Sequence, residues 1–109
     1  MNTTNVAEIS ANEFINRRQQ GQSMTLLDVR EDWELAIASV PGAVHIPMAA
    51  VPARMNELDR SLDIVVLCRS GRRSLEIAKF LQLNGFRALN LSGGILAWSQ
   101  DVDPTIPTY

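Results

Sequence analysis

The run DIVVLC, Asp63 to Cys68, passes directly into RSGRRSLEIAKFLQLNG, and this strand–loop–helix succession limits the possible folds more than any other feature of the chain. A short run dominated by Val, Ile and Leu suits a strand buried on both faces. SLEIAKFLQLNG carries apolar residues at helical spacing, with Leu75, Ile77, Ala78 and Leu81 expected to face inward and Gly85 to end the helix. MTLLDV (Met24 to Val29) and RALNL (Arg87 to Leu91) repeat the strand signal.

Between and around these runs lie helical segments. SANEFINRRQQG opens with the spacing of a capping box, Ser10 and Glu13, and Gly21 is the expected stop. EDWELAIA reads as a short helix with an acidic first turn that suits the helix dipole. VPGAVHIP reads as a turn at Pro41-Gly42 and a short strand over Val44 to Ile46. AAVPARMNEL is helical, with Pro52 confined to the first turn. After SGG a last helix is expected from about Ile95 to Asp101, and the proline-punctuated tail VDPTIPTY is expected to be extended.

Short apolar strands alternating with helices predict an α/β fold: three α/β/α layers around a central parallel sheet of about five strands. The expected organisation is one domain over residues 1–109. Ligands of such sheets sit beyond the carboxyl ends of the strands. That rule gathers Asp28 and Arg30, Cys68 and its loop, and Ser92-Gly93-Gly94 on one rim.

Composition removes several function classes. The net charge is -2, and the only basic cluster is Arg69, Arg72 and Arg73, so a broad nucleic-acid face is not expected. No apolar run approaches membrane-spanning length, and MNTTNVAEIS lacks the pattern of a signal peptide. A single cysteine and a single histidine offer no metal-ligand set and no intrachain disulfide. The expectation is a soluble cytoplasmic domain without metal or cofactor.

Cys68 carries the chemistry. A loop after a parallel strand can turn its amides inward, and the following helix adds positive potential at its N-terminus. Arg69, Arg72 and Arg73 add full charges. Such surroundings lower a thiol from about 8.5 into the range ~3.5 to ~7.5. The same cradle would hold a small oxyanion beside the sulfur. Ser70 is a candidate donor to that anion, the loop glycine Gly71 adds to the signal for a reactive cysteine, and Ser74 is read as an N-cap stabilising its helix by ~1 kcal/mol. Asp28 is a candidate partner of the loop, and Arg30 is expected to pair with Glu34. Trp33 and Trp98 are expected to be packing residues, and His45 a structural one.

LLDVREDWE, VPGAVHIP, VVLCRSGRRS and LSGGILAW, in this order and spacing, resemble the landmarks of the rhodanese sulfurtransferases from about Ile9 onward. IASVPGAVHIP with GGILAWSQDVDPTIPTY is most similar to the rhodanese domain of E1-like enzymes that activate sulfur-carrier proteins. The resemblance implies that Cys68 takes sulfane sulfur from a donor such as thiosulfate, becomes a persulfide, and passes the sulfur to cyanide, a thiol or a carrier protein. It also implies a substrate-binding loop of Arg69, Ser70, Gly71, Arg72, Arg73 and Ser74. Phosphatases related to this family have a loop one residue longer, whereas here Arg73 stands five positions after Cys68. A phosphatase or arsenate reductase, and a non-catalytic binding module, are the alternatives.

Overall fold

The computed structural model describes residues 5–109; part of the stretch MNTTNVAEIS read for a signal peptide lies outside the described residues. The strands are β1 (Glu8–Ile9), β2 (Met24–Asp28), β3 (Val44–His45), β4 (Asp63–Leu67) and β5 (Ala88–Leu91), and the helices α1 (Ala11–Gln19), α2 (Asp32–Ile37), α3 (Val51–Arg54), α4 (Arg72–Leu83) and α5 (Gly94–Asp101). Single 3-10 turns at Met48–Ala50 and Met55–Glu57 flank α3. The sheet order is β1-β5-β4-β2-β3, and every pairing is parallel.

Both faces of the sheet are covered, which explains why its central strands are apolar without interruption. Leu27, Val29, Ile64, Val66 and Cys68 point to one face, where Ile77, Ala78 and Leu81 of α4 and Val51 of α3 meet them. Leu26, Val65, Leu67 and Leu91 point to the other, against Phe14 of α1 and Ile95 and Trp98 of α5. Trp98 anchors the last helix as expected, with its ring centroid 5.7 Å from that of Phe14.

Local signals account for most element ends. Ser10 caps α1 by accepting from the Glu13 amide at 3.0 Å. The reciprocal half of that box is diverted, because the Glu13 carboxylate takes Arg17 instead. Glu31 and Glu34 complete a capping box at the start of α2 that the sequence reading did not single out. Pro52 sits in the first turn of α3, where its missing N–H costs nothing.

β1 is a strand the sequence does not announce: two residues are too few to show periodicity, and its pairing with β5 comes from across the chain. Two expectations need correction. Leu75 is half-buried, and Ser74 takes a fully buried place on α4 beside Ile77, Ala78 and Leu81. The tail is not extended. It turns at Asp103, buries Ile106, receives a 2.6 Å bond from Ser99 Oγ at the Ile106 carbonyl, and brings Tyr109 back over the rim. No described helix is long and apolar enough to cross a membrane.

Candidate active site

β4 delivers Cys68 to the rim, and Arg69, Ser70 and Gly71 turn the chain into α4. The loop is held from outside by its carbonyls. The Cys68 oxygen accepts from the Ile95 amide at 2.9 Å, the Arg69 oxygen from the Leu96 amide at 3.2 Å, and the Gly71 oxygen from Asn90 Nδ2 at 3.0 Å. With these carbonyls drawn outward, the amides of Ser70, Gly71 and Ser74 are turned toward the sulfur. The Gly71 amide donates to Cys68 Sγ at 3.1 Å. Gly71 can do so because it adopts a φ of 101°, a left-handed conformation open to glycine at little strain.

Ser74 is not the N-cap. Gly71 holds that position, and Ser74 lies inside the first turn with its hydroxyl 3.3 Å from Cys68 Sγ and 2.5 Å from Asn90 Oδ1. The hydroxyl has one proton, so it can donate to the thiolate or to Asn90, and the two sites compete. Asn90 is itself buried and tied through Nδ2 to Glu8 and to the Gly71 carbonyl. Sequence reading missed it, since an Asn inside a short strand gives no motif.

Burial pushes the Cys68 thiol up. The Ser74 hydroxyl and the amides of Ser74, Gly71 and Ser70 oppose that, and the balance leaves the thiol below its ordinary value. The residue is 1% exposed, yet its surroundings are not hydrocarbon on the loop side. Ser74→Ala removes one donor and should shift the midpoint of the iodoacetamide alkylation profile upward, slowing alkylation at neutral pH by ~3- to 10-fold. An unchanged midpoint would show that the amides alone set the thiol.

The arginines are less available than their clustering suggested. Arg73 is clamped by Glu34, Nη1 to Oε1 at 2.7 Å and Nη2 to Oε2 at 2.8 Å. Arg69 is held by the main-chain oxygen of Tyr109, with Nε at 2.6 Å and Nη2 also bonded, and its guanidinium lies 5.2 Å from the Tyr109 ring centroid. Arg72 and Ser70 are exposed. So Glu34 belongs to Arg73, not to Arg30 as expected; the reason is that Arg30 has a nearer partner.

Asp28 and Arg30 pair with each other inside the protein. The Asp28 carboxylate accepts from the Arg30 amide at 3.0 Å, from Nε at 3.0 and 3.2 Å, and from Nη2 at 2.8 Å. Arg30, 0% exposed, also reaches the Ala38 carbonyl and the Tyr109 hydroxyl. Asp28 therefore does not bond the cysteine loop. The pair fixes the end of β2, and His45 Nε2 adds a 2.6 Å contact to the Arg30 carbonyl, the structural role expected of it. Trp33, expected to pack, is 62% exposed and meets the Tyr109 ring edge-on at 6.3 Å.

Glu34 supplies a pH test. Its bond from Arg73 holds the carboxyl at about 2, below the ordinary 4.5. A carboxylate depressed on folding contributes stability that is complete above its unfolded pKa and vanishes as pH falls toward the folded one. Urea unfolding should thus lose roughly 1–3 kcal/mol between pH 4.5 and about 2, an amount discounted because Arg73 is 35% exposed. Glu34→Gln should flatten that part of the profile.

Among the described residues no His, Cys, Asp and Glu side chains cluster with the geometry of a metal site. Comparisons with known proteins identify the family. A family description, "Rhodanese-like domain", matches residues 10–101. The chain is 38% identical to YtwF of Bacillus subtilis over 91% of its length and 96% of that protein. It is 36% identical to a sulfurtransferase of Allochromatium vinosum over 93% of its length and 95% of that protein. It is also 32% identical to the adenylyltransferase and sulfurtransferase MOCS3 of Arabidopsis thaliana, matching 26% of that longer protein. The crystal structure of a rhodanese-like domain protein from Staphylococcus aureus superimposes with a TM-score of 0.83 at 29% identity, covering 95% of this chain and 99% of that one. With the cysteine loop, the parallel sheet and these relatives in agreement, the chain belongs to the rhodanese-like domain family of sulfurtransferases.

Proposed function

We propose that the domain over residues 1–109 moves sulfane sulfur from a small sulfur oxyanion, thiosulfate being the type donor, through a persulfide on Cys68 to a thiophilic acceptor. The observation that carries this reading is the Cys68 sulfur itself, met by the Gly71 amide at 3.1 Å and the Ser74 hydroxyl at 3.3 Å. The Cys68 thiolate attacks the outer sulfur of thiosulfate. A new S–S bond forms, the bond to the sulfonate sulfur breaks, and sulfite leaves with its electron pair. Arg72, with Ser70 and the loop amides, meets the donor anion at the mouth, while Arg73 and Arg69 add charge from fixed positions. Asp28 and Arg30 support the rim from below.

Cyanide or a thiol attacks the outer persulfide sulfur and frees Cys68 as thiolate. Toward the activated carboxyl tail of a sulfur-carrier protein the persulfide is instead the nucleophile: its outer sulfur displaces the activating group, and two equivalents of external thiol then reduce the acyl disulfide to thiocarboxylate and Cys68 thiolate, leaving as a disulfide. With Cys68 the only cysteine, no thiol of this chain can resolve the persulfide, so the acceptor comes from outside. The resemblance to the rhodanese domain of E1-like activating enzymes supports a carrier protein in that role. No metal or cofactor enters the scheme. We set the reaction in the cytoplasm, where cysteines are kept reduced. The test is the intact mass of the reduced protein after thiosulfate treatment, which should rise by one sulfur and return to its starting value on adding cyanide. Turnover of an aryl phosphate or of arsenate without such a mass gain would transfer the site to the phosphatase class.

A further inference from the structure

Five side chains form one hydrogen-bonded chain behind the cysteine loop: Asp28, Arg30, Tyr109, Glu34 and Arg73. The two arginines and two carboxylates balance in charge, and the phenol is the neutral link between the pairs. Its oxygen accepts from Arg30 Nη1 at 2.9 Å and donates to Glu34 Oε2 at 2.7 Å. The same residue's main-chain oxygen and ring hold Arg69. Burial raises the Tyr109 hydroxyl above its ordinary range, so the proton it donates stays in place through neutral pH.

We propose that Tyr109 is a positioning residue of the sulfur-transfer site, setting the guanidinium groups of Arg73, through Glu34, and of Arg69, directly, beside the anion path to Cys68. Without the phenol oxygen, Glu34 Oε2 loses a donor, and the carboxylate is left to pivot about its one tie to its own helix, the Glu31 amide at 2.9 Å from Oε1. The nearest remaining contact of Arg30 Nη1 is then the Glu34 carbonyl, at 3.5 Å. Arg73 follows Glu34, because its fork is bonded to both carboxylate oxygens. Fixed cations attract an anion more strongly than mobile ones, which must be ordered when it arrives. The inference deepens the sulfurtransferase reading and rests on it only for the donor kinetics.

The test compares Tyr109→Phe with wild type in the full chain. Alkylation of Cys68 by anionic iodoacetate and by neutral iodoacetamide gives a rate ratio that reports positive potential at the thiolate. The ratio should fall ~3-fold in Tyr109→Phe, and the KM for thiosulfate should rise by a similar factor with kcat little changed. A fall in melting temperature alone, with the alkylation ratio kept, would make Tyr109 merely structural and overturn the proposal. Side-chain NMR of the wild type gives a reading that needs no variant. The Arg73 guanidinium should rotate more slowly than that of exposed Arg72, and equal rotation would also overturn it. A lowered ratio in a protein that does not accept sulfur from thiosulfate would leave the positioning role standing and remove only the donor assignment.

Discussion

Cys68→Ser should abolish the persulfide and lower thiosulfate:cyanide turnover by at least ~10³-fold, because a serine hydroxyl does not ionise at neutral pH and forms no S–S bond. The expectation follows from the division of labour in the loop. Amides and Ser74 stabilise negative charge at the sulfur position, but they supply no nucleophile of their own. The substitution is also close to isosteric, and the Gly71 amide keeps an acceptor. The variant should therefore remain folded, so that lost activity reports chemistry. Far-ultraviolet circular dichroism and a melting curve check the fold; intact mass and thiocyanate formation check the reaction. If wild-type protein, freshly reduced, gains no sulfur from thiosulfate, the donor assignment fails even though the family membership stands.

The second large effect is on stability, at Gly94. This residue has a φ of +59°, and a Cβ built on it would lie 2.5 Å from the Cys68 main-chain oxygen and equally close to the Arg69 carbonyl carbon. Those atoms are backbone of the cysteine loop and cannot swing aside. Gly94→Ala must push α5 off the loop or bend the loop toward the sulfur, and it breaks the Ile95 and Leu96 amide bonds in doing so. A loss of about 3 kcal/mol or more is expected, a drop in melting temperature on the order of 10–20 °C. Gly42→Ala is the control, since Gly42 also has a positive φ of 84° but nothing within 4 Å of the added methyl. It should cost about 1 kcal/mol from backbone strain alone. Equal losses at the two positions would mean that the close approach of α5 to the loop has been misread.

Much of this architecture was legible in the residues. DIVVLC, MTLLDV and RALNL announce parallel strands because both faces of such strands are covered, and the helices between them show their caps and stops. The position of Cys68 followed from the strand–loop–helix succession. The partners of its charged neighbours did not. Arg30 could have taken Glu34, four residues on, but Asp28 is nearer and equally buried, and Arg73 claims Glu34 from another element. Such choices depend on contacts across 39 residues of chain. Ser74 misled for a related reason: a serine at the head of a helix usually caps it, but here Gly71 turns the chain a residue triplet earlier and leaves the hydroxyl facing sulfur. Asn90 and Tyr109 carry no local motif at all, and only the folding of β5 and the tail onto the rim gives them their places.

The outward tethering of the loop carbonyls has a wider consequence. What recognises negative charge around Cys68 is mostly peptide group, so the genetic information for it is spread over α5 and β5 and is scarcely written in the loop's own exposed side chains. Ser70 and Arg72, which the structure leaves exposed, can then drift toward new visitors at the doorway while the sulfur keeps its reactivity, letting one nucleophile serve a succession of different molecules.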